Sequence, residues 1–423
     1  MDYQNVKGTE DFLPDAEVVR RKVRRTLEDV FIQYNCLPLE TPILNYKDLL
    51  ASKYAGGAEI LKEMYQLSDQ GKRELALRYD LTIPFAKAVA LNPDVRMPFK
   101  RYEIGKVFRD GPVKPGRLRE FTQCDVDIVG VESQMGEAEL IMMALDAFEE
   151  LKMDVVVEFN NRKLLNGVLE VFGVNDTEKS SIILTLDKLE KIGGQGVVEE
   201  LKVKGVSTLA IDQIKSLIDR KSIEIDSFLP YAVENEKVKR GLDEIRQLLE
   251  MLEYLGAGDK CIFNPFLARG LEIYSGTVYE IFVPGSNFTS SIGGGGRYDN
   301  SIGGLIGTEE VYSTIGISFG LDAVCAALKE NDTSSAESDA ECDYYVIPLN
   351  TEKESLLAAK KLRRQGEKVE VDLAGKSLKK SLNRANSRKA KKTVIVGEEE
   401  VQNQQIRIKN MKTGKETIEK FNF

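Results

Sequence analysis

Alternation of apolar and polar side chains with period two predicts several β-strands, most clearly between residues 97 and 130. There, two β-rich runs, MPFKRYEIGKVFRD and GRLREFTQCDVDIVG, flank a short connection rich in Gly and Pro after Asp110. Such runs predict an antiparallel hairpin whose successive side chains point to opposite faces. One face of the second strand is apolar, with Cys124, Val126 and Ile128. The other face carries a polar row, which consists of Arg117, Arg119, Phe121, Gln123, Asp125 and Asp127.

Strand patterns and glycines recur in residues 1–158 and 260–328, whereas residues 165–255 have mostly helical spacing. We interpret the helical stretch as an insertion into one sheet-containing domain that covers residues 1–328. The segment 329–341, KENDTSSAESDAE, is polar and Ser-rich, as linkers are. Residues 342–423 alternate β and α elements, which predicts a small α/β domain with a largely parallel sheet. The predicted fold class is therefore α/β, with two domains joined by a linker.

The 423-residue chain is long enough for two or three domains, and its 42% hydrophobic and 30% charged residues are typical of a soluble globular protein. No apolar run is long enough to cross a bilayer, and the N-terminus lacks the layout of a signal peptide. The five cysteines lie far apart without a CxxC pair. This favours reduced thiols in a cytoplasmic protein over disulfides or a zinc site.

The chain contains no histidine. This excludes Ser-His-Asp and Cys-His catalysis and histidine-ligated metals, so that a general base has to be a carboxylate, a lysine, a tyrosine or the substrate itself. The formal net charge of −9 argues against a general nucleic-acid coat. Residues 361–423, however, contain 17 basic and 8 acidic residues, and the run 376–392 has eight basic residues and no acid. A basic end module follows an acidic body.

The polar row of the hairpin has two interpretations: the solvated side of a half-exposed sheet, or a binding surface. Phe121 beside arginines favours the second, because its ring can stack on a planar base beneath a guanidinium. Arg109 and Arg117, on the two strands, suit an anion with several oxygens. Gln123 and Asp127 suit a cationic amine. This face is thus a candidate site for a nucleotide beside an amino acid.

Three further stretches carry candidate site residues. Asp80 and Thr82 are expected to cap a helix, and a carboxylate there can also receive an amino group. Arg269 lies between apolar residues, which favours a buried, partnered side chain. The Gly-dense strands 290–304 and 314–324 indicate close approach of a ligand or another backbone. Neither a P-loop nor a Rossmann fingerprint is present in the sequence.

Together these stretches resemble the histidyl-tRNA synthetases, which are class II aminoacyl-tRNA synthetases, over almost the whole chain. VKGTEDFLP is similar to the family's N-terminal signature, LPLETPIL to motif 1 with Pro42 as its proline, and the hairpin to motif 2. LARGLEIYSGTVYE resembles the stretch that distinguishes histidyl enzymes, with GGGGRYD as the neighbouring strand, and TIGISFGLDAV falls at motif 3. VDLAGKSLKK and MKTGKE resemble parts of an anticodon-binding domain.

The resemblance implies an α+β catalytic domain of the class II type, built on an antiparallel sheet, and a C-terminal α/β anticodon-binding domain. It implies a histidine–tRNA ligase that activates L-histidine with ATP to an adenylate and transfers it to tRNA(His). Mg²⁺ would act on the phosphates, without a metal site made by the protein itself. Because motif 1 forms a subunit interface in this class, a homodimer is also implied.

The resemblance also implies roles for individual residues. Arg109 and Arg269 would be catalytic, on either side of the reacting phosphate. ATP would be bound by Arg109, Arg117 and Phe121. Histidine would be bound by Asp80, Leu81, Thr82, Arg109, Gln123, Asp127, Arg269, Ile273, Tyr274 and Tyr298. The tRNA would be bound by Lys379, Lys380, Arg384 and Arg388.

Three positions depart from the family pattern. Motif 3 has Asp322 and Ala323 where an acid–arginine pair is usual, motif 2 has Gly111 where an acid is usual, and Ile273 replaces one of two tyrosines. Loss of the motif 3 arginine favours an alternative, a catalytically impaired paralogue that senses histidine as regulatory subunit of ATP phosphoribosyltransferase. The basic C-terminal domain, which that paralogue usually lacks, speaks against it. A non-catalytic tRNA-binding protein is a third hypothesis.

Overall fold

The computed structural model describes residues 3–51, 58–220, 223–269, 273–308, 310–330, 342–375 and 377–423. The chain divides into two compact units, one made of Met1–Asp11 and Arg20–Ser334 and the other of Phe12–Val19 and Ser335–Phe423. Most of the linker expected from the sequence, residues 331–341, lies outside the described residues. No helix in the described ranges combines the length and the apolar character needed to cross a membrane.

Both units combine strands and helices. The strands are β1 (Leu37–Pro38), β2 (Leu44–Tyr46), β3 (Gln66–Ser68), β4 (Glu74–Leu77), β5 (Phe99–Phe108), β6 (Glu120–Val129), β7 (Val156–Asn161), β8 (Cys261–Phe263), β9 (Thr277–Phe282), β10 (Gly293–Arg297), β11 (Thr314–Gly320), β12 (Tyr344–Leu349), β13 (Val369–Val371), β14 (Lys392–Gly397), β15 (Gln405–Asn410) and β16 (Glu416–Lys420). The helices are α1 (Pro14–Gln33), α2 (Lys47–Leu50), α3 (Ala58–Glu63), α4 (Thr82–Ala90), α5 (Met135–Glu150), α6 (Arg162–Val171), α7 (Asp176–Leu186), α8 (Leu189–Val203), α9 (Thr208–Ile218), α10 (Leu229–Glu234), α11 (Glu236–Tyr254), α12 (Ser301–Ile306), α13 (Leu321–Glu330), α14 (Glu352–Arg364), α15 (Leu378–Ser387) and α16 (Glu398–Gln402).

An eight-stranded sheet organises the larger unit, with strand order β1-β5-β6-β11-β10-β9-β7-β8. Pairing is antiparallel except at its two ends, where β1 with β5 and β7 with β8 are parallel. A small antiparallel sheet of order β2-β4-β3 precedes α4. The expected α+β architecture around a mostly antiparallel sheet is confirmed.

One face of the large sheet forms the hydrophobic core. The buried apolar residues at even positions of β6 are Cys124, Val126 and Ile128. The ring of Phe319 on β11 packs against Phe31 of α1, with 5.9 Å between centroids, and against Phe148 of α5 at 5.6 Å. Helices α1 and α5 therefore cover this face, and the opposite face of the sheet is left for the polar row.

Helices α6 to α11 lie between β7 and β8 along the chain. They correspond to the helical stretch expected over residues 165–255, although the first helix begins at Arg162. Strands β7 and β9, on either side of these helices in sequence, pair directly with each other. The chain thus leaves the sheet and returns to a neighbouring strand, which supports the interpretation of an insertion into one domain.

The smaller unit contains a five-stranded sheet of order β13-β12-β14-β15-β16. Strand β12 is parallel to β13 and β14, but β14 with β15 and β15 with β16 are antiparallel. The expectation of a largely parallel sheet is therefore wrong for its C-terminal half. The connection between β15 and β16 turns at Gly414 (φ 72°) and is too short for the crossover that parallel strands need.

Strands β5 and β6 form the predicted hairpin and pair along their whole length. Its connection covers residues 109–119. The sequence had placed Arg117 and Arg119 on the second strand; they lie instead on the connection. Pro112 and Pro115 cannot donate to a β-ladder, and Gly116 has a φ of 70°. The regular ladder ends at the pair Phe108–Glu120, and Arg117 forms an isolated bridge with Lys114. The polar row on the strand therefore begins at Phe121.

A buried ion pair joins α5 to the end of β10. Nε and Nη2 of Arg297 donate to the Glu137 carboxylate at 2.7 and 2.8 Å, and 3% and 0% of the two side chains are exposed. Removal of one partner from a buried pair leaves an uncompensated charge in the interior, which is strongly destabilising.

Glu137→Ala should lower the free energy of unfolding by about 3–5 kcal/mol, because Arg297 loses its closest charge partner in a buried place. Chemical denaturation measures this. Glu139→Ala, on the same helix, is the matched control: it breaks a partly exposed pair with Lys100 and should cost at most about 1 kcal/mol. Equal losses in the two variants would contradict the assignment.

Candidate active site

The sheet face opposite the core carries a buried polar floor. We use this name for Arg101, Glu103, Gln123, Asp125, Asp127 and Ser318, which are cross-strand neighbours on β5, β6 and β11. Apart from Ser318, each is at most 9% exposed. The polar row is therefore not the solvated side of a half-exposed sheet, since charged groups so deeply buried require partners of their own.

Arg101 is the centre of the polar floor and is fully buried. Its Nη2 lies 2.5 Å from Asp127 Oδ2 and its Nη1 lies 3.6 Å from Glu103 Oε2. The same Nη2 donates to the backbone carbonyl of Leu81 at 3.3 Å. Asp127 Oδ1 accepts from the Tyr298 hydroxyl. This chain of contacts brings Asp127, Tyr298 and Leu81, three of the expected histidine-binding residues, to one place.

The segment before α4 forms one edge of the site. Asp80 is 5% exposed, and its Oδ1 accepts from the Ile83 amide at 3.1 Å, so Asp80 caps the helix that begins at Thr82. Burial raises the pKa of Asp80, whereas the amides of the first turn and Arg109 lower it. Asp80 provides the expected cap, whereas Thr82, also expected to cap, is the first residue of the helix.

Arg109, at the start of the β5–β6 connection, lies beside two aromatic rings. Its guanidinium carbon is 4.2 Å from the centroid of Tyr79 and 5.1 Å from that of Phe121, both within cation–π range. Nε donates to the Tyr79 carbonyl at 3.1 Å. Arg117, in contrast, is 55% exposed, and its Nη2 is 3.9 Å from Glu63 Oε1. Glu63 in turn accepts from the Tyr79 hydroxyl at 2.9 Å, which links the two arginines.

Arg269 and Tyr274 extend over β10 on the far side of the site. Arg269 Nη1 donates to the Tyr279 carbonyl at 3.2 Å and lies 3.6 Å from Glu280 Oε1. Its guanidinium carbon is 5.6 Å from the Tyr274 ring centroid. A Cβ on Gly294 would collide with this guanidinium, so the Gly-rich strand leaves the room that Arg269 occupies. Arg269 itself has a φ of 45°, which non-glycine residues rarely adopt.

Gln123 and Asp125 present oxygen atoms that lack a hydrogen-bond partner among the described residues, Gln123 Oε1 and Asp125 Oδ1. Gln123 Nε2 donates to Ser318 Oγ at 2.7 Å, which fixes the orientation of the amide. Burial and the neighbouring Asp127 raise the pKa of Asp125 to about 8, against the opposing effects of Arg101 and Ser318. The protonated form of Asp125 is therefore favoured relative to that of an exposed aspartate.

Charged and titratable groups face Asp125 from every element around it. They are Asp127 on the same strand, Arg101 and Glu103 on β5, Asp80 before α4, and Tyr274 and Tyr298 on either side of β10. Burial, above all, raises the pKa of both tyrosines.

Asp322 and Ala323, at the start of α13, have different surroundings. Asp322 is 7% exposed, pairs with Arg20 of α1 and accepts from the Thr122 amide at 2.9 Å. Ala323 packs against Gly116 of the β5–β6 connection. Asp322 therefore connects α1 to β6. The β5–β6 connection packs directly against Ala323.

Four basic residues expected to bind RNA lie in the smaller unit, on or directly after α15. Lys379, Lys380 and Arg388 are exposed, and Arg388 lies 3.7 Å from Glu370. Arg384 is half-buried and donates to Asp372 at 3.0 Å. The two lysines thus present their charges to solvent, while the two arginines each have an acidic neighbour.

The structure brings most of the expected small-molecule site residues to one side of the sheet. Ile273 is buried beside Tyr274, whereas its neighbours 270–272 lie outside the described residues. Residues that the sequence did not identify are Tyr79, Arg101, Glu103 and Asp125. A usable signal existed for three of them: Arg101 and Glu103 share the parity of Arg109 on the first strand, and Asp125 is a member of the polar row.

The chain is similar in sequence to histidyl-tRNA synthetases over nearly its whole length. Residues 8–324 match the family model described as histidyl-tRNA synthetase, and residues 343–421 match the model of an anticodon binding domain. The curated "Histidine--tRNA ligase 2" of Shouchella clausii is 52% identical over 425 residues, with 100% of this chain and 99% of the relative covered.

Two solved structures have similar folds. Histidyl-tRNA synthetase from Nostoc sp. PCC 7120 superposes with a TM-score of 0.83 at 27% identity, covering 99% of this chain and 97% of that one. An ATP phosphoribosyltransferase regulatory subunit/histidyl-tRNA synthetase from Bacillus halodurans gives a TM-score of 0.76 at 20% identity, with 94% and 99% covered. The second likeness shows the fold alone.

The titration of Asp125 predicts a pH dependence of stability. Its folded-state pKa lies above the value of about 3.9 for an unfolded aspartate. Asp125 therefore contributes stability that is complete below that value and is lost as pH rises through about 8. The free energy of unfolding of the wild type should fall between pH 5 and 8.5 relative to Asp125→Asn, by at most about 1.4 kcal/mol per pH unit.

Urea denaturation at several pH values measures this difference. Asp154→Asn, which alters an exposed carboxyl between α5 and β7, is the matched control and should parallel the wild type. Parallel curves for wild type and Asp125→Asn would show that Asp125 is not protonated in the folded protein.

Proposed function

We propose that this chain, which belongs to the histidyl-tRNA synthetase family, is a histidine–tRNA ligase. In the first step it joins L-histidine to ATP, forming an enzyme-bound histidyl-adenylate and releasing pyrophosphate. In the second step it transfers the histidyl group to the 3′ end of tRNA(His). The anticodon-binding domain matched by residues 343–421 supports RNA as the second substrate.

The observation that carries this proposal is the separation of charge across one surface. Arg109 beside Tyr79 and Phe121 offers a cation and aromatic faces at one end of the site. Gln123 and Asp127 lie on the same face of β6 as Phe121 and offer hydrogen-bond acceptors farther along that strand. A nucleotide and an amino acid bound side by side satisfy both ends.

The amino-acid end suits histidine. The oxygen atoms of Asp80 and Gln123 would accept hydrogen bonds from the ammonium group of histidine. Leu81 and Thr82 would line the site next to it. Asp127, held by Arg101 and Tyr298, provides a fixed negative group that does not need to reorganise on binding. Tyr274, with Ile273 beside it, would contact the imidazole from the other side.

Arg109 and Arg269 supply the electrostatic part of the first step. A histidine carboxylate oxygen attacks the α-phosphorus of ATP, and the bond from that phosphorus to the oxygen shared with the β-phosphate breaks. Negative charge grows on the α-phosphate oxygens, and two guanidinium groups near them would stabilise it. The nucleophile is already an anion, so no general base is required, in agreement with a chain without histidine.

At the nucleotide end, Phe121 would stack on adenine, and Arg117 would reach the distal phosphates. Within the described residues, no group of three or more Cys, Asp or Glu side chains is arranged to hold a metal ion. Mg²⁺ would enter bound to the phosphates of ATP, where it neutralises charge.

The alternative of a histidine-sensing regulatory subunit rests on Ala323. Against it stand the anticodon-binding match and the full-length likeness to curated histidine–tRNA ligases. A non-catalytic tRNA-binding protein would leave the arrangement of Arg109 and Phe121 without a use. The ligase accounts for both units of the chain.

We also propose that the protein is a cytoplasmic homodimer. All five cysteines lie in the described part of the chain and are buried, and none forms a disulfide. Reduced thiols fit a cytoplasmic location. The dimer is proposed from the resemblance at motif 1.

Arg109→Gln should lower kcat of histidine-dependent ATP–pyrophosphate exchange by about 100-fold or more, because a guanidinium is lost where negative charge develops. The exchange of labelled pyrophosphate into ATP measures this. Arg73→Gln, at an exposed arginine paired with Asp69, is the control and should leave kcat unchanged. A wild type that binds histidine without exchange would favour the sensor instead.

Neutralising Lys379, Lys380, Arg384 and Arg388 together should weaken tRNA binding and flatten its salt dependence, because fewer counterions are released. Filter binding at several salt concentrations gives the slope. Since the two lysines are exposed and the two arginines each have an acidic neighbour, Lys379→Gln with Lys380→Gln should account for more of the change than the two arginine substitutions. An unchanged slope would remove this helix from the RNA surface.

A further inference from the structure

One carboxylate at the nucleotide end of the site has no part in the roles proposed above. It belongs to Glu63, the last residue of α3, which lies outside the large sheet. Glu63 Oε2 accepts from the Tyr79 hydroxyl at 2.9 Å, and Oε1 lies 3.9 Å from Arg117 Nη2. The side chain is 23% exposed. Glu63 therefore lies among the residues that surround the two arginines of this end, Arg109 and Arg117.

The carboxylate of Glu63 fills the space in front of Gly111. A Cβ on Gly111 would lie 2.8 Å from Glu63 Oε1, which is closer than real Cβ contacts come. Gly111 is the motif 2 position at which an acid is usual. A carboxylate is thus present where the side chain of that acid would begin, but it comes from α3.

The backbone on both sides of this carboxylate is anchored. The Glu63 carbonyl accepts from the Asp110 amide at 2.7 Å, and the Tyr65 carbonyl accepts from the Leu77 amide of β4 at 3.0 Å. Met64, between them, belongs to a buried apolar cluster. The fold itself therefore fixes the carboxylate against the β5–β6 connection.

The two arginines are related to Glu63 in different ways. Arg109 lies over the Tyr79 ring and donates to the Tyr79 carbonyl. Because Glu63 holds the hydroxyl of the same ring, it fixes the surface on which that guanidinium lies. Arg117 is 55% exposed and has Glu63 as an acidic neighbour. Attraction between their charges favours the rotamers of Arg117 that stay near the site over those that extend into solvent.

We propose that Glu63 is a positioning residue for adenylate formation. It supplies from α3 the carboxylate that motif 2 lacks at Gly111, and it orients Arg109 through Tyr79 and Arg117 directly. The inference rests on the proposed function. Since both arginines would act on the phosphates of ATP, loss of this carboxylate should impair the use of ATP more than the use of histidine.

Histidine-dependent ATP–pyrophosphate exchange tests the role of Glu63. In Glu63→Ala, kcat/KM for ATP should fall roughly tenfold or more, as expected when contacts of a charged group are lost. The KM for L-histidine should stay within about threefold of the wild type. Glu63→Gln, which can still accept from Tyr79 but lacks the charge, should lie between the two. Glu74→Ala is the matched control: it removes a 71% exposed carboxylate from β4 and should leave both constants unchanged.

A relocated carboxylate separates this role from a purely structural one. Gly111→Glu alone should lower kcat/KM for ATP, because two carboxylates would compete for one space. Combined with Glu63→Ala, it returns an acid to the usual motif 2 position, and Gly111 has no positive φ that would oppose a side chain. The double variant should exceed Glu63→Ala by at least about threefold in kcat/KM for ATP. A tether that only holds α3 in place could not be restored from residue 111.

Each result supports or overturns a different statement. A wild type without histidine-dependent exchange overturns the proposed function and, with it, this inference. If the wild type is active, wild-type kcat/KM for ATP in Glu63→Ala, or a double variant no better than Glu63→Ala, overturns the inference alone. If Glu63→Ala does not fold, Glu63→Gln decides: a lower kcat/KM for ATP with an unchanged KM for histidine supports the role, and wild-type values overturn it.

Discussion

The pairing of Arg101 with Asp127 is the contact on which the rest of the site depends. A fully buried guanidinium is unfavourable unless its charge is matched nearby, and here the match comes from the adjacent strand at 2.5 Å. The same guanidinium reaches the Leu81 carbonyl, and Asp127 reaches Tyr298. Strands β5 and β6, the start of α4 and the end of β10 are thereby held in one arrangement, which makes a polar sheet face possible in the interior.

The glycines of β10 and β11 provide the space that the charged side chains of the site need. In these strands glycine weakens the sheet locally, but at Gly294 and Gly316 any side chain would collide with Arg269 or Asp127. Strands β10 and β11 are thus less stable where the side chains of Arg269 and Asp127 lie directly on their backbone. The antiparallel ladders on both sides of β10 and β11 offset this weakness.

Much of the fold and of the site follows from alternation. The parity of Phe121, Gln123 and Asp127 was readable, because period two on a paired strand leaves no freedom in direction. Arg101 and Glu103 were missed because their contacts depend on the residues opposite them on β6. The sequence of one strand alone does not determine its pairing register. The length of the β5–β6 connection and the antiparallel pairing of β14, β15 and β16 were also missed. Both depend on where a ladder stops, which local pattern determines poorly.

Asp322 shows that two adjacent positions can be under quite different constraints. Its carboxylate oxygens are used by Arg20 and by the Thr122 amide, so the acid ties helix α1 to the beginning of β6. Ala323 packs against Gly116, Gly320 and the hydrophobic core. Asp322 is thus constrained by its polar partners, and Ala323 by the close packing around it. The acid at this position therefore has a structural role that does not depend on an arginine beside it.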